Sequence, residues 1–250
     1  FSILFHFWAF ANYYNKKFIS IEILSKKIYN LFMEFDVEIW LQEFTRKLFD
    51  EFSSRIKFVG LQGSYKRGEV TENSDVDLVV ILDKLSFEDL IQYKNIVHSL
   101  PFYEKADGFI CGEDEIYNWP KFELFHLLND TLPLQGNLLN FIPPLKREDI
   151  FNAIKINSAD LYHKVCRGYL YENRDEEVLY QGYKSAFYIL QVVYYLRSNT
   201  YIDTKRELVY SLDGEDKEIL LVILNWNSLD VLDNVDFYFE KLINWLKLHI

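Results

Sequence analysis

Cysteine is scarce in this chain, which has Cys111 and Cys166 as its two occurrences in 250 residues. Two isolated cysteines exclude a disulfide framework and a thiolate metal site, so we expect free thiols in a reducing cytoplasm. Glycine and proline are also few, at 9 and 5 residues, while 50% of the chain is apolar, which predicts a compact globular protein. No apolar run approaches the roughly 20 residues of a membrane-spanning helix, so no membrane association is expected.

Basic residues are outnumbered by acidic ones. The chain has 27 Lys and Arg against 38 Asp and Glu, which gives a net charge of −11. This balance argues against a broad electrostatic grip on a nucleic-acid backbone, so no stable nucleic-acid partner is expected. It slightly favours a cationic small molecule as partner.

Methionine occurs once, as Met33, after a strongly apolar start that reads F-S-I-L-F-H-F-W-A-F. These first residues lack the positive region and the small-residue cleavage site of a secretory signal. The segment 19–32 has a helix-like pattern. We hypothesise that Met33 is the natural start and that residues 1–32 are upstream sequence. The alternative is an extra N-terminal helix that packs on the domain.

The stretch 59–82 reads V-G-L-Q-G-S-Y-K-R-G-E-V-T-E-N-S-D-V-D-L-V-V-I-L. It predicts a strand that ends at Gly63 and Ser64, a polar turn, and a second strand that opens at Asp75 and Asp77. Since successive side chains of a strand alternate in direction, the two carboxylates share a face and repel each other unless a cation lies between them. Mg²⁺ prefers carboxylate and phosphate oxygens. A turn without a Cβ lets backbone N–H groups approach a polyphosphate, so a nucleoside triphosphate fits both parts.

Gly63-Ser64, ten intervening residues and Asp75-Val76-Asp77 resemble the signature of the nucleotidyltransferase superfamily that includes DNA polymerase beta. The order of elements extends the resemblance to most of the chain after residue 33. The aminoglycoside and streptomycin-type adenylyltransferases and the minimal nucleotidyltransferases are the branches it resembles most. The resemblance implies that the two aspartates bind Mg²⁺ and that the Gly-Ser turn holds the triphosphate. It also implies nucleotide-binding roles for three further residues of the turn, Arg67, Thr71 and Ser74.

The same family pattern asks for a third carboxylate from a later strand. We interpret the apolar run 121–128 as that strand, with Glu123 on one face and His126 on the other. The letters K-F-E-L-F-H resemble the corresponding strand of aminoglycoside adenylyltransferases. Glu123 is therefore the predicted third carboxylate, as a metal ligand or a general base, and Asp107 is the alternative. His126 is interpreted as a core or interface histidine.

The periodicity of apolar residues predicts an α+β chain. A nucleotidyltransferase domain over 33–142, with a small mixed β-sheet and flanking helices, is followed by an all-α helical bundle domain over 143–250. Besides the strand at 121–128, the predicted elements of the first domain are helices over 36–52 and 86–100 and strands over 56–61, 76–82 and 105–112. The predicted helices of the second domain are 146–171, 175–196, 204–212, 215–226 and 233–248.

In the resembling families a helical C-terminal domain closes over the nucleotide. Here the letters Y-I-D-T-K-R-E-L resemble the turn from which streptomycin-type adenylyltransferases send a lysine to the phosphates, which carries over to Lys205. Lys184, on the second predicted helix of the bundle, is an alternative phosphate ligand. Gln191 stands about where those enzymes place an arginine, so the chain departs from that subgroup.

The resemblance implies a Mg²⁺-dependent nucleotidyltransferase. We expect it to move a nucleoside monophosphate, AMP from ATP, onto a hydroxyl of a small molecule such as an aminoglycoside or lincosamide and to release pyrophosphate. We expect a cytoplasmic monomer or homodimer. Two alternatives remain open, a protein AMP-transferase of the minimal nucleotidyltransferase and HEPN type, and a non-catalytic nucleotide-binding protein.

Overall fold

The computed structural model describes residues 35–171, 176–231 and 233–250. The interpretations of the segment 1–32 and of Met33 lie outside these residues. The described residues form one four-stranded sheet in the order β3-β2-β1-β4. β1 pairs antiparallel with both β2 and β4, and β2 pairs parallel with β3, so the predicted mixed sheet is confirmed. The strands are β1 Ile56–Gln62, β2 Val76–Leu82, β3 Ala106–Gly112 and β4 Leu132–Gln135.

Five helices accompany the sheet within the described part of the chain, and two begin at side-chain caps that the sequence shows. The Asp36 carboxylate accepts the N–H groups of Glu38 and Ile39, at 2.9 and 3.1 Å. Ser86 and Asp89 form a capping box, in which each side chain accepts the backbone N–H of the other residue. The five are α1 Val37–Phe52, α2 Gly63–Arg67, α3 Phe87–His98, α4 Glu113–Tyr117 and α5 Lys121–Asn129.

The predicted strand over 121–128 is wrong, because these residues form the helix α5. Five of the eight residues in 121–128 are apolar, in an order that fits both a strand and a helix, so tertiary packing decides. Leu124 and Leu127 pack into a core beneath the sheet, while Phe125 packs into the core of the helical bundle. A helix can bury side chains on two such sides at once. The strand β4, in the turn-rich segment that follows, was not predicted.

The sheet is buried on both faces. On one face, α1 and α3 cover the strands with Trp40, Phe44 and Leu48 among the buried side chains, as predicted for the first helix. On the other face, Phe58 and Ile81 of the strands pack against α4 and α5. β1 and β2 are almost entirely buried and read as continuous apolar runs, which is why their positions were predictable.

The remaining helices form one bundle, with α7 at its centre. Phe187 and Leu190 of α7 are fully buried, and the predicted central position is confirmed. We call residues 35–142 the sheet half and the described residues from 143 onward the helical half; a domain boundary between them stays a prediction. No helix in the described ranges is long and apolar enough to cross a membrane. The helices are α6 Arg147–Tyr171, α7 Glu176–Ser198, α8 Lys205–Ser211, α9 Gly214–Leu224 and α10 Val235–Lys247.

Candidate active site

The turn between β1 and α2 is shaped by Gly63. Its φ of +70° lies in the left-handed region that favours glycine, and a Cβ at this position would overlap the Oδ2 atom of Asp77. The carboxylate of Asp77 therefore lies directly against the backbone of the turn. Ser64 follows in the first turn of α2 and is partly exposed. The sequence signature thus brings a carboxylate and a glycine turn into contact.

Asp75 and Asp77 lie at the start of β2, where Asp75 is exposed and Asp77 is partly buried. Burial raises the pKa of Asp77, and the nearby carboxylates of Asp107 and Asp75 raise it further. The cationic groups of Arg67 and Lys184 act in the opposite direction. Asp77 is therefore a carboxylate whose charged form is unfavourable in this place, and a bound cation would relieve it.

Asp107, the alternative third carboxylate, lies beside Asp77. The parallel pairing of β2 and β3 sets the two residues in register as direct neighbours. Neighbouring strands run about 4.8 Å apart, and paired residues of adjacent strands point to the same face. Glu123 instead lies exposed in the first turn of α5, where its carboxylate accepts the indole N–H of Trp119 at 2.5 Å. The strand that was predicted to carry Glu123 is a helix, and the sheet pairs Asp107 with Asp77. The role of either residue as the third carboxylate stays a prediction.

The predicted phosphate ligands Thr71 and Ser74 bond to each other. The Thr71 backbone N–H donates to the Ser74 hydroxyl at 2.8 Å, and the two hydroxyl oxygens lie 3.2 Å apart. These bonds shape the exposed turn that leads into β2. A nucleotide-binding role for either residue stays a prediction.

Arg67 and Lys205, two further predicted nucleotide ligands, are held by carboxylates. The Arg67 guanidinium is almost fully buried and pairs with Asp130. The Lys205 ammonium lies 2.7 Å from a carboxylate oxygen of Glu69. Burial lowers the pKa of Lys205, Glu69 opposes this, and the charges of Arg67 and Lys184 add to the lowering.

Lys184 on α7 is exposed and lies close enough for its charge to lower the pKa of both Asp77 and Lys205. Of the two lysines considered from the sequence, Lys184 is the exposed one, whereas Lys205 is partly buried and pairs with Glu69. In the sequence, the evidence for Lys184 was only its position on a predicted bundle helix. A lysine that covers apolar surface would occupy the same kind of position.

Gln191 and His126 both turn inward. Gln191 is buried, and its side-chain amide donates to the carbonyl oxygens of Ile202 and Asp203, at 2.8 and 3.2 Å. It therefore anchors the loop before α8. His126 lies between Phe125 and Tyr188. Burial and the nearby Arg67 charge lower the pKa of His126 to about 4, which fits the predicted interface histidine.

The carboxylates are suited to Mg²⁺ in combination with a substrate. Among the described residues, no three His, Cys, Asp or Glu side chains form a ready cage for a metal ion. Mg²⁺ usually binds one or two carboxylates and completes its shell with water and substrate phosphates. Asp77 offers such a carboxylate against the Gly63 turn, Asp107 is in register with Asp77, and the charge of Asp75 is close enough to act on Asp77. The residues present therefore fit a cation that arrives with a polyphosphate.

Residues 43–120 match the family model of the nucleotidyltransferase domain. No curated protein matches the chain. Among solved structures, the chain is similar to the spectinomycin adenyltransferase AAD(9) from Enterococcus faecialis with ATP and spectinomycin, at 15% identity and a TM-score of 0.55. That match covers 84% of this chain and 99% of AAD(9).

A toxin–antitoxin structure with AMP-PNP and a mutant of the toxin–antitoxin MntA-HpeT match at 18% and 17% identity. Each match covers 52% of this chain and 94% of the other, with a TM-score of 0.28, too low to carry an argument. The similarity to AAD(9) shows the fold, and the family model identifies the segment that carries the glycine turn and the carboxylates. The chain therefore contains, over residues 43–120, a segment that matches the nucleotidyltransferase domain, within a chain that shares the fold of AAD(9).

Proposed function

We propose that the protein transfers the adenylyl group of ATP to a hydroxyl of a small molecule such as an aminoglycoside or a lincosamide. One observation carries the proposal: the Asp77 carboxylate lies against the Gly63 turn and in register with Asp107. This arrangement places carboxylates that can bind a cation beside backbone N–H groups that can donate hydrogen bonds to phosphate oxygens. AAD(9), which shares the fold, was crystallised with ATP and spectinomycin, and this analogy supports a small acceptor.

In this proposal Asp75, Asp77 and Asp107 hold Mg²⁺. When bound, the ion neutralises phosphate charge and stabilises the charge that develops as pyrophosphate leaves. The backbone N–H groups of the Gly63 turn and the hydroxyl of Ser64 contact the phosphates. Positioning and charge neutralisation then supply most of the rate, as is general for phosphoryl transfer.

The chemical step joins an acceptor hydroxyl to the α-phosphorus of ATP. The hydroxyl oxygen attacks this phosphorus, the bond to the oxygen that bridges the α- and β-phosphates breaks, and pyrophosphate leaves with that oxygen. The hydroxyl proton passes to the carboxylate of Asp107. β3 is the edge strand of the sheet, and Asp107 on it is exposed.

Lys184 takes the phosphate-binding role that was predicted for Lys205. Its ammonium is exposed and its charge reaches Asp77 across the two halves. A lysine so placed binds phosphate as a mobile point charge. Lys205 is instead engaged by Glu69.

The test is transfer of label from α-labelled ATP in the presence of Mg²⁺ to a panel of aminoglycosides and lincosamides, with the Asp77→Asn variant as the comparison. We expect label in a small acceptor with the wild type and a loss of at least about a thousandfold with the variant, since a metal ligand supplies several kcal/mol. Because Asp77 is unfavourable as an anion without a cation, the variant should unfold at the same or a higher temperature than the wild type without Mg²⁺.

A host lysate and the other nucleoside triphosphates in parallel reactions separate the alternatives. Label in a protein band would move the acceptor from a small molecule to a protein. Nucleotide binding without any transfer would favour a binding protein. Turnover by Asp77→Asn within tenfold of wild type would remove the metal-site proposal.

A further inference from the structure

The segment Lys66–Glu69, which directly follows the Gly63 turn, is tied to the helical half by ion pairs. The Lys66 ammonium lies 2.5 Å from a carboxylate oxygen of Asp203. Glu69 accepts both the side-chain ammonium and the backbone N–H of Lys205, at 2.7 and 2.8 Å. The segment therefore contributes a cation at one end and an anion at the other, and these bind Asp203 in the loop before α8 and Lys205 at the start of α8.

Arg67 occupies the centre of this segment. Its guanidinium is 3% exposed, pairs with Asp130 at the end of α5, and contacts the Tyr188 hydroxyl at 3.3 Å. It also lies over the rings of Phe187 and Tyr188, 5.7 and 5.5 Å from their centres. Glu69 is 3.6 Å from the Arg67 guanidinium, so it links this buried cation to Lys205.

This junction is not built for maximal stability. Among the described residues, buried polar atoms around it lack hydrogen-bond partners, including Arg67 Nε, Asp130 Oδ1, Gln191 Oε1 and Tyr201 Oη. Burial also raises the pKa of Asp130, which shows that its charged form is only partly compensated. A buried ion pair with unsatisfied atoms contributes little net stability compared with apolar packing, but it restricts the geometry of the elements that it joins.

The geometry of α2 carries this restriction to the phosphate turn. α2 is a single turn of helix from Gly63 to Arg67, closed by Gly68 at a φ of +68°. The Glu69 N–H donates to the carbonyl oxygen of Ser64 at 2.9 Å. Because α2 is so short, contacts that hold its C-terminal end also fix the direction of the backbone N–H groups at its N-terminal end.

We infer that the helical half positions the phosphate-binding turn, with Glu69 and Arg67 as positioning residues that transmit the docking of α7 and α8 to Gly63 and Ser64. The inference rests on the proposed function for the site itself. It assigns Lys205 to the support of the turn, through Glu69, and not to the phosphates. Nucleotide affinity then depends on contacts between the two halves that do not touch the nucleotide.

The test is the Glu69→Gln variant, with ATP binding measured by calorimetry in the presence of Mg²⁺. If Glu69 positions the turn, the dissociation constant for ATP rises about tenfold, within the range of coupling energies for contacting residues. If Lys205 were a phosphate ligand that Glu69 restrains, release of Lys205 would leave ATP binding unchanged or tighter. Unchanged or tighter ATP binding overturns the inference. Weaker ATP binding supports it, because removal of an anion near the phosphates cannot weaken binding by direct contact.

A double-mutant cycle with Lys205→Met sharpens the result. We expect the double variant to bind ATP about as weakly as either single variant, because both remove one support; additive losses would contradict a shared role. Glu218→Gln is the matched control, since Glu218 forms a comparable ion pair with Lys241 at 2.6 Å within the helical half. It should leave ATP affinity unchanged.

Hydrogen exchange separates this inference from the proposed function. Without nucleotide, the amides of residues 63–69 should exchange faster in Glu69→Gln than in the wild type, while the strand amides of β1 and β2 stay protected. Unchanged exchange at 63–69 overturns the positioning role whatever the protein binds. If the amides of residues 63–69 exchange faster in Glu69→Gln but the wild type does not bind ATP, the positioning role of Glu69 is supported and the proposed function is rejected.

Discussion

The sheet half and the helical half differ in how they hold their functional residues. In the sheet half, strand pairing places Asp77 and Asp107 side by side. The turn at Gly63 lies against Asp77, because glycine has no Cβ that would overlap the Asp77 carboxylate. In the helical half, Lys184 lies on a helix surface and Lys205 is engaged by another residue. A backbone ladder sets positions that side-chain variation cannot shift. Helix packing instead leaves these charges on flexible side chains, so in our proposal the sheet carries the chemistry and the bundle supports it.

The largest test of this comparison sets Asp107→Asn against Glu123→Gln. If the sheet ladder selects the third carboxylate, Asp107→Asn loses at least about a thousandfold in kcat/KM, as expected for loss of a metal ligand or base. Glu123→Gln should stay within about threefold, since Glu123 is exposed and paired with Trp119. Steady-state adenylylation kinetics measure both. The reverse ranking would restore Glu123 and reject the sheet-based assignment.

A second test acts on the contact between the halves through His126. The folded state lowers its pKa to about 4, so below pH 6.5 the unfolded chain binds a proton that the folded protein does not bind. Stability from this residue is therefore complete above pH 6.5 and is lost as the pH falls towards 4. Urea unfolding at pH 7 and pH 4.5 should show about 2 kcal/mol less of this loss in His126→Gln than in the wild type. An equal loss in both proteins would show that His126 titrates normally.

The smallest expected effect distinguishes the two lysines of the helical half. Lys184→Met should raise the KM for ATP about tenfold with kcat little changed, since one charged contact to phosphate is lost. The KM for ATP of Lys184→Met should also depend less on salt than that of the wild type, because the exposed charge that salt screens has been removed. Lys184→Arg, which keeps the charge, should recover most of the affinity. If both variants behave as wild type, Lys184 covers apolar surface and binds no phosphate.

The sequence alone determined the parts that depend on neighbours in the chain. The Gly63 turn and the pair Asp75 and Asp77 followed from strand alternation and from the absence of a Cβ, and the structure brings them together as expected. The helix α1 followed from apolar periodicity, and α3 followed from the N-cap residue Ser86 and the acidic residues of its first turn. These features are local, so a pattern over 5 to 20 residues carries them.

Only the tertiary structure decided the parts that depend on distant residues. Asp107 lies 30 positions from Asp77, and parallel pairing of β2 with β3 makes them neighbours. α5 packs its apolar side chains into two separate cores, which favours a helix, and the order of apolar and polar residues in the segment does not reveal these two cores. Arg67 and Lys205 have partners 63 and 136 positions away, so their engagement by carboxylates could not be read from spacing.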